Sequence, residues 1–302
     1  MIDPKAITSY AQFNEDTILL ALFPDVKKGF YIDIGANYPT IDSVTKSFYD
    51  NGWSGINIEP LPSLYRQLTK ERPRDINLQI GIGSKIDTLE FYENPDSPGH
   101  SSFKMSAATS DLKDVKKLKT YNINVRPLKD VLSEVDIKNI NFLKIDVEGY
   151  EKEVLEGNDW VKYRPSVICV EANHRISSWE NILVKKNYKL FINDGLNEYY
   201  IATESWKLTD DFAERVVRIA YNTLKQHQFE SWSQDSRQLK ELTLMNKEHF
   251  ELLQKSKQEN QRLLHGARLS LSDRSFLERV KRALYGLTID WVKYRLKKQS
   301  NK

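Results

Sequence analysis

Short apolar runs alternate with helical patterns along the chain up to about residue 203. Residues 30–34 (Phe-Tyr-Ile-Asp-Ile) predict a strand, 42–50 a helix closed by Asn51-Gly52, and 55–58 a second strand. A helix follows over 61–71, ended by Pro73, then strands over 76–80 and 88–92. Residues 141–145 predict the next strand, 150–155 a helix stopped by Gly157-Asn158, 167–170 a strand and 178–186 a helix. Strands over 189–192 and 198–201 face each other across the turn Asn193-Asp-Gly-Leu196. Strand and helix in repetition predict an α/β fold with a doubly wound, mostly parallel sheet, and the closing hairpin is expected to add one antiparallel strand at its edge. Sheets of this kind bind ligands beyond the carboxyl ends of their strands.

Two stretches break the rhythm. Residues 93–102 (Glu-Asn-Pro-Asp-Ser-Pro-Gly-His-Ser-Ser) are polar and carry two prolines, so they predict a surface loop, either a lid or a plain connector. Beyond residue 203 the pattern turns helical and polar. Residues 212–224 read as a packed helix. Residues 226–264 place Leu239, Leu242, Leu253 and Leu263 on a heptad that Asn246, His249, Ser256 and Asn260 interrupt, which predicts a long exposed helix weakly competent for a coiled coil. The expected organisation is therefore one domain over residues 1–225 and a helical extension over 226–302.

Charge is unevenly spread. The whole chain carries +3, yet residues 266–302 hold ten Lys/Arg against three Asp/Glu, so the remainder is net acidic. Within that tail Phe276, Val280, Leu284, Leu287 and Trp291 form one helical stripe, and Arg279, Lys281, Arg282, Lys293, Arg295, Lys297 and Lys298 supply the charge. A basic amphipathic helix over 276–298 suits an anionic membrane surface at the inner face of a membrane. The same stripe suits docking on the first domain or on a second copy, making a homo-oligomer. Nucleic acid is not expected, because no nucleic-acid-binding module accompanies the charge.

The composition, 40% hydrophobic and 29% charged over 302 residues, is that of a globular protein with a full core. A single cysteine, Cys169, excludes an internal disulfide and a cysteine-built zinc site, so a reducing, cytoplasmic setting is expected. The start does not resemble a signal peptide, and no run of about 18 uncharged apolar residues occurs.

The first strand ends in Asp33-Ile-Gly35-Ala-Asn37, which suggests a nucleotide crevice. A dinucleotide would want GxGxxG, because backbone must approach a pyrophosphate closely. Tyr38 and Pro39 stand where the later glycines would be, and no GxxxxGK[ST] occurs either. The second strand, however, ends at Glu59, an acid placed to accept ribose hydroxyls. Ribose is signalled and phosphate is not. S-adenosylmethionine fits that combination, since its sulfonium and ammonium are cations that favour carboxylates, and Asp33, Glu59 and Asp146 stand at three predicted strand ends. The bland alternative is that such acids cap the helices that follow.

Several motifs in one order then carry a resemblance: Tyr10-Ala-Gln-Phe-Asn-Glu-Asp16, Tyr31-Ile-Asp-Ile-Gly-Ala-Asn37, Asp42-Ser-Val-Thr45, Gly52-Trp-Ser-Gly-Ile-Asn-Ile-Glu-Pro60, Phe142-Leu-Lys-Ile-Asp-Val-Glu-Gly-Tyr-Glu151 and Asp194-Gly-Leu-Asn-Glu-Tyr-Tyr200. Together they resemble the FkbM family of S-adenosylmethionine-dependent methyltransferases over residues 8–204. The resemblance implies a class I methyltransferase fold and methyl transfer to oxygen, typically a sugar or natural-product hydroxyl. It also implies that Asp33, Gly35 and Asn37 lie at the methionine end, Glu59 at the ribose and Gln79 with Ile80 at the adenine, with Ser43 among the cofactor-binding residues. Asp146 would sit beside the sulfonium and acceptor, and Gln12 and Glu15 would close the site.

Candidates for removing a hydroxyl proton are Asp146, Glu148, Glu171 and His174, with His100 on the loop. A divalent cation held by Asp146 and Glu148 is not expected, because alternate residues of a strand face opposite ways unless the strand has already ended. The expected activity is O-methylation of a glycan or glycosylated acceptor. The rivals are methylation of a soluble small molecule and a silent nucleoside-binding scaffold with a partner-binding tail.

Overall fold

A computed structural model describes residues 8–172 and 179–219. Residues 9–212 belong to one compact unit. The expected boundary at 225, the amphipathic helix over 276–298 and His174 lie outside the described residues.

Among the described residues up to 202, strands and α-helices follow in the order α1 (Glu15–Leu22), β1 (Phe30–Ile34), α2 (Lys46–Asp50), β2 (Ser54–Ile58), α3 (Pro62–Glu71), β3 (Ile76–Leu78), β4 (Gly81–Gly83), β5 (Asp87–Glu93), α4 (Met105–Ala108), β6 (Lys119–Pro127), α5 (Leu128–Leu132), β7 (Phe142–Ile145), α6 (Glu151–Glu156), β8 (Val167–Glu171), α7 (Glu180–Lys185), β9 (Tyr188–Asn193) and β10 (Asn197–Ala202); residues 212–219 are helical as well. The main sheet runs β3-β2-β1-β7-β8-β10-β9. Its first five strands are parallel, as the strand–helix alternation predicts, and β10 alone runs against its neighbours β8 and β9. This is the Rossmann-like α/β arrangement of a methyltransferase fold.

The hairpin corrects one expectation. The antiparallel strand is not at the edge: β10 slots between β8 and β9, leaving β9 outermost. Burial explains the order. Every residue of β10 is buried, whereas β9 exposes Lys189 and Leu190, so β10 is the strand that tolerates layers on both faces.

A second, three-stranded sheet, β4-β6-β5, lies off the main one. Its longest strand, β6, alternates Tyr121, Ile123, Val125 and Pro127 with more exposed polar residues, the period-2 pattern of a half-buried strand.

Ile32, Ile34, Ile56, Ile58, Leu143, Ile145, Ile168 and Val170 fill the core between sheet and helices. The register sets the rest. Ile34 stands beside Ile58 and Ile145, and Ile145 beside Val170. The next residue of each strand is therefore Gly35, Glu59, Asp146 or Glu171, and the four form one row along the carboxyl rim.

Candidate functional site

A cleft opens at that rim, lined by Gly35, Asn37, Glu59, Ile80 and Asp146 from the main sheet and by Pro98, Gly99, Ser101 and Phe103 from the loop after β5. Chain direction accounts for the first two. Gly35 has φ +78°, and a Cβ there would lie 1.8 Å from the Asp146 carbonyl oxygen, so only glycine lets β1 and β7 meet. The backbone then turns left-handed again at Asn37, φ 53°. Its N–H donates to Glu59 Oε2 at 2.8 Å, while its own Oδ1 is buried with no hydrogen-bond partner.

Glu59 is fixed from both sides, since its Oε1 accepts the Leu61 N–H at 2.8 Å. Burial pushes its carboxyl up to about 7, although both backbone donors and the Lys144 ammonium pull the other way.

Asp33 is buried one position behind the rim. Its Oδ2 accepts from Thr45 Oγ1 at 2.9 Å, and its Oδ1 lies 3.3 Å from Lys144 Nζ. It supports the cleft and is not among its lining residues. Lys144, unremarked in the sequence, also lies 3.2 Å from Asp146 Oδ2 and donates to the Gly35 carbonyl at 2.7 Å. Burial alone would favour the neutral amine, but Asp146 and Asp33 outweigh it and hold the ammonium well above its ordinary pKa. A lysine in the middle of an otherwise apolar strand was the available signal.

Beyond Asp146 the chain has left the strand, and Glu148 adopts φ 52° before Gly149 at φ 93°. The strand geometry that would separate Asp146 from Glu148 therefore does not apply. Carboxylate oxygens of Asp146, Glu148 and Glu171 all come within 4.8 Å of one another. Burial, then the charge of Asp146, push the Glu148 carboxyl up to about 7. The same two causes in the same order raise Glu171. The cluster can share protons, accept hydroxyl hydrogen bonds or meet a cation.

The polar loop covers this end. Asn94 caps it, its Oδ1 accepting the N–H groups of Asp96 and Ser97 at 3.0 Å. Ser102 Oγ donates to the Glu148 carbonyl at 2.9 Å, and Lys104 Nζ to that of Gly149. His100 is exposed, and its Nδ1 meets Asp111 Oδ2 at 2.7 Å. The loop is thus pinned over the cleft; His100 is not among the lining residues but lies close enough to act electrostatically on the Glu148 carboxyl.

Four other expected residues fall differently. Ser43 is buried and accepts from Arg72 at 2.9 Å, so it braces the turn after β1. Gln12 and Gln79 are exposed and do not line the cleft, whereas Ile80 does. Glu15 is buried, with Oε2 accepting the Phe13 N–H at 2.8 Å and Oε1 accepting from Asn197 at 3.2 Å. Asn197 is the cross-strand partner of Glu171, so Glu15 reaches the acid cluster only through it. Asp16, unremarked in the sequence beyond its motif, ties the segment before α1: it accepts from Ser9 Oγ at 2.7 Å and from the N–H groups of Tyr10 and Thr17 at 2.8 Å.

A family model described as "Methyltransferase FkbM domain" matches residues 33–198, which contain the whole rim. The chain is also similar to "Methyltransferase 1" of Beauveria bassiana (strain ARSEF 2860), 28% identical over 158 residues. That similarity covers 46% of this chain and 61% of the relative.

Proposed function

The chain belongs to the FkbM methyltransferase family, and from that premise we propose that it transfers a methyl group from S-adenosylmethionine to an oxygen, a sugar hydroxyl of a glycan or glycosylated acceptor. The observation that carries this reading is the rim itself. Gly35, Glu59 and Asp146 stand in one row, Asn37 lines the same cleft with a buried Oδ1 that has no partner, and Tyr38 and Pro39 replace any phosphate cradle.

The donor set suits the cofactor. Glu59 would accept the ribose hydroxyls, Asn37 Oδ1 the amino-acid ammonium, and Ile80 would flank the adenine. Asp146 would face the cationic end. When bound, S-adenosylmethionine supplies an electrophilic methyl group on a positively charged sulfur. The chain then has two tasks. It aligns the acceptor oxygen, and alignment alone is worth about 7–11 kcal/mol. It also receives the hydroxyl proton, for which Glu148 suits, since burial brings its carboxyl to about 7 and general bases act best near the working pH. Held by Asn37, Glu59 and Asp146, the cofactor would supply the methyl group with its sulfur as the leaving group. No metal is required by this scheme, because the electrophile carries its own positive charge.

Incubation with methyl-labelled S-adenosylmethionine and cell-envelope glycan fractions tests the reading. Label in an alkali-stable, glycan-bound form is expected. Label that enters only soluble small molecules would move the acceptor to that class. Binding without turnover on any acceptor would favour a scaffold.

A further inference from the structure

Lys144 is 7% exposed, on a strand whose other residues are all apolar and buried. A buried ammonium is costly unless each of its protons finds an acceptor. Here it donates to the Gly35 carbonyl at 2.7 Å and forms ion pairs with Asp33 Oδ1 at 3.3 Å and Asp146 Oδ2 at 3.2 Å. Asp33 is wholly interior, but Gly35 and Asp146 line the cleft, so the contacts bridge from the core to the binding surface. They also join the ends of β1 and β7, the two strands between which the cofactor crevice opens.

We infer that Lys144 is a positioning residue, whose ammonium clamps the end of β1 to that of β7 and aims the Asp146 carboxylate at the cationic end of the cofactor. Asp146 is half-buried, its side chain 35% exposed and lining the cleft, so the contact that steadies the ammonium also fixes a carboxylate at the binding surface. The ammonium also relieves the repulsion between two carboxylates that would otherwise share one corner. Lys144 touches neither the cofactor nor the acceptor in this arrangement and acts through Asp146 and Gly35. The inference rests on the S-adenosylmethionine reading above.

The test is a double-mutant cycle on the full chain, with S-adenosylmethionine binding read by calorimetry. Lys144→Met is expected to weaken binding about tenfold to a hundredfold at unchanged stoichiometry. Asp146→Asn is expected to weaken it by a similar factor, and the double variant no more than the worse single one. Lys144→Arg keeps the charge but not the compact ammonium geometry, so it should fall between wild type and Lys144→Met. Should Lys144→Met not fold, the cycle is run on Lys144→Arg. A purely structural lysine would lower the binding-competent fraction and leave the dissociation constant of that fraction unchanged, and that result overturns the inference. So do losses that multiply in the double variant. Wild-type protein that binds no S-adenosylmethionine would instead sink the proposed cofactor.

Discussion

Gly35 passes so close beneath Asp146 that a methyl group on its α-carbon would lie 1.8 Å from the Asp146 carbonyl oxygen. The obstacle is backbone, held by the Asp146 N–H bond to Ile34 O at 3.0 Å, and the φ of +78° adds strain for any side chain. Gly35→Ala should therefore cost about 1–3 kcal/mol for the conformation alone, with more from the clash. A fall of several degrees in thermal midpoint, together with loss of cofactor binding, is expected. A folded variant that binds as wild type would contradict the assigned geometry.

Glu59→Gln preserves shape but sets a side-chain N–H₂ against the backbone donors of Asn37 or Leu61. Leaving one buried N–H without an acceptor costs about 1–3 kcal/mol. The dissociation constant for S-adenosylmethionine should rise about tenfold or more, and calorimetry reads it directly. Gln79→Ala, at an exposed position away from the lining, should leave it unchanged.

Acidity should act on the ligand-free fold in an unusual direction. Glu15, Glu59 and Glu148 are held up to about 7 and Asp16 up to about 6, burial being the first cause in each. Their pKa values in the folded chain lie above those of the unfolded chain, so the folded chain binds more protons between about pH 4 and 7. The stability they contribute is complete below about pH 4 and is lost as pH rises through 6 and 7. The thermal midpoint should fall between pH 5.5 and 8. Glu59→Gln should flatten that slope, and an unaltered slope would remove Glu59 from the explanation.

Cofactor binding should run the opposite way. A cation facing Asp146 enters the cleft that Glu59 lines and lies near Glu148, which favours the ionised forms of both and lowers their pKa values. Binding should tighten from pH 6 to pH 8 and release protons, detectable as a dependence of the calorimetric heat on the ionisation enthalpy of the buffer. Heat independent of the buffer would count against a cationic ligand.

Chelation should not matter to that binding. Gly35, Asn37 and Glu59 supply backbone, amide and carboxylate contacts that need no ion, so EDTA should leave the dissociation constant unaltered. Magnesium that restores an EDTA-sensitive turnover would instead assign the cluster of Asp146, Glu148 and Glu171 to a metal.

The rim was legible in the sequence because each core strand passes abruptly from apolar residues to a glycine or an acid, and parallel strands of similar length bring those junctions into one row. Space, unlike sequence, orders the hairpin: nothing local tells that β10 enters the sheet ahead of β9, although its Tyr199 and Tyr200 are buried where β9 exposes Lys189. Lys144 was hidden because one cation in an apolar run reads as an irregularity until its three partners are seen. Glu148, a candidate base in the sequence, needed the backbone for a different reason. Its place beside Asp146 depends on the strand ending at Ile145 and on Glu148 itself taking φ 52°, neither of which the residue types dictate.

Ser102 Oγ and Lys104 Nζ grip the carbonyls of Glu148 and Gly149, in the same bend that carries the Glu148 carboxylate. An outward swing of that loop must break both grips or drag the bend with it. In the proposed mechanism the loop and the proton acceptor thus share one anchor, so a change that loosens the loop also shifts the proposed base.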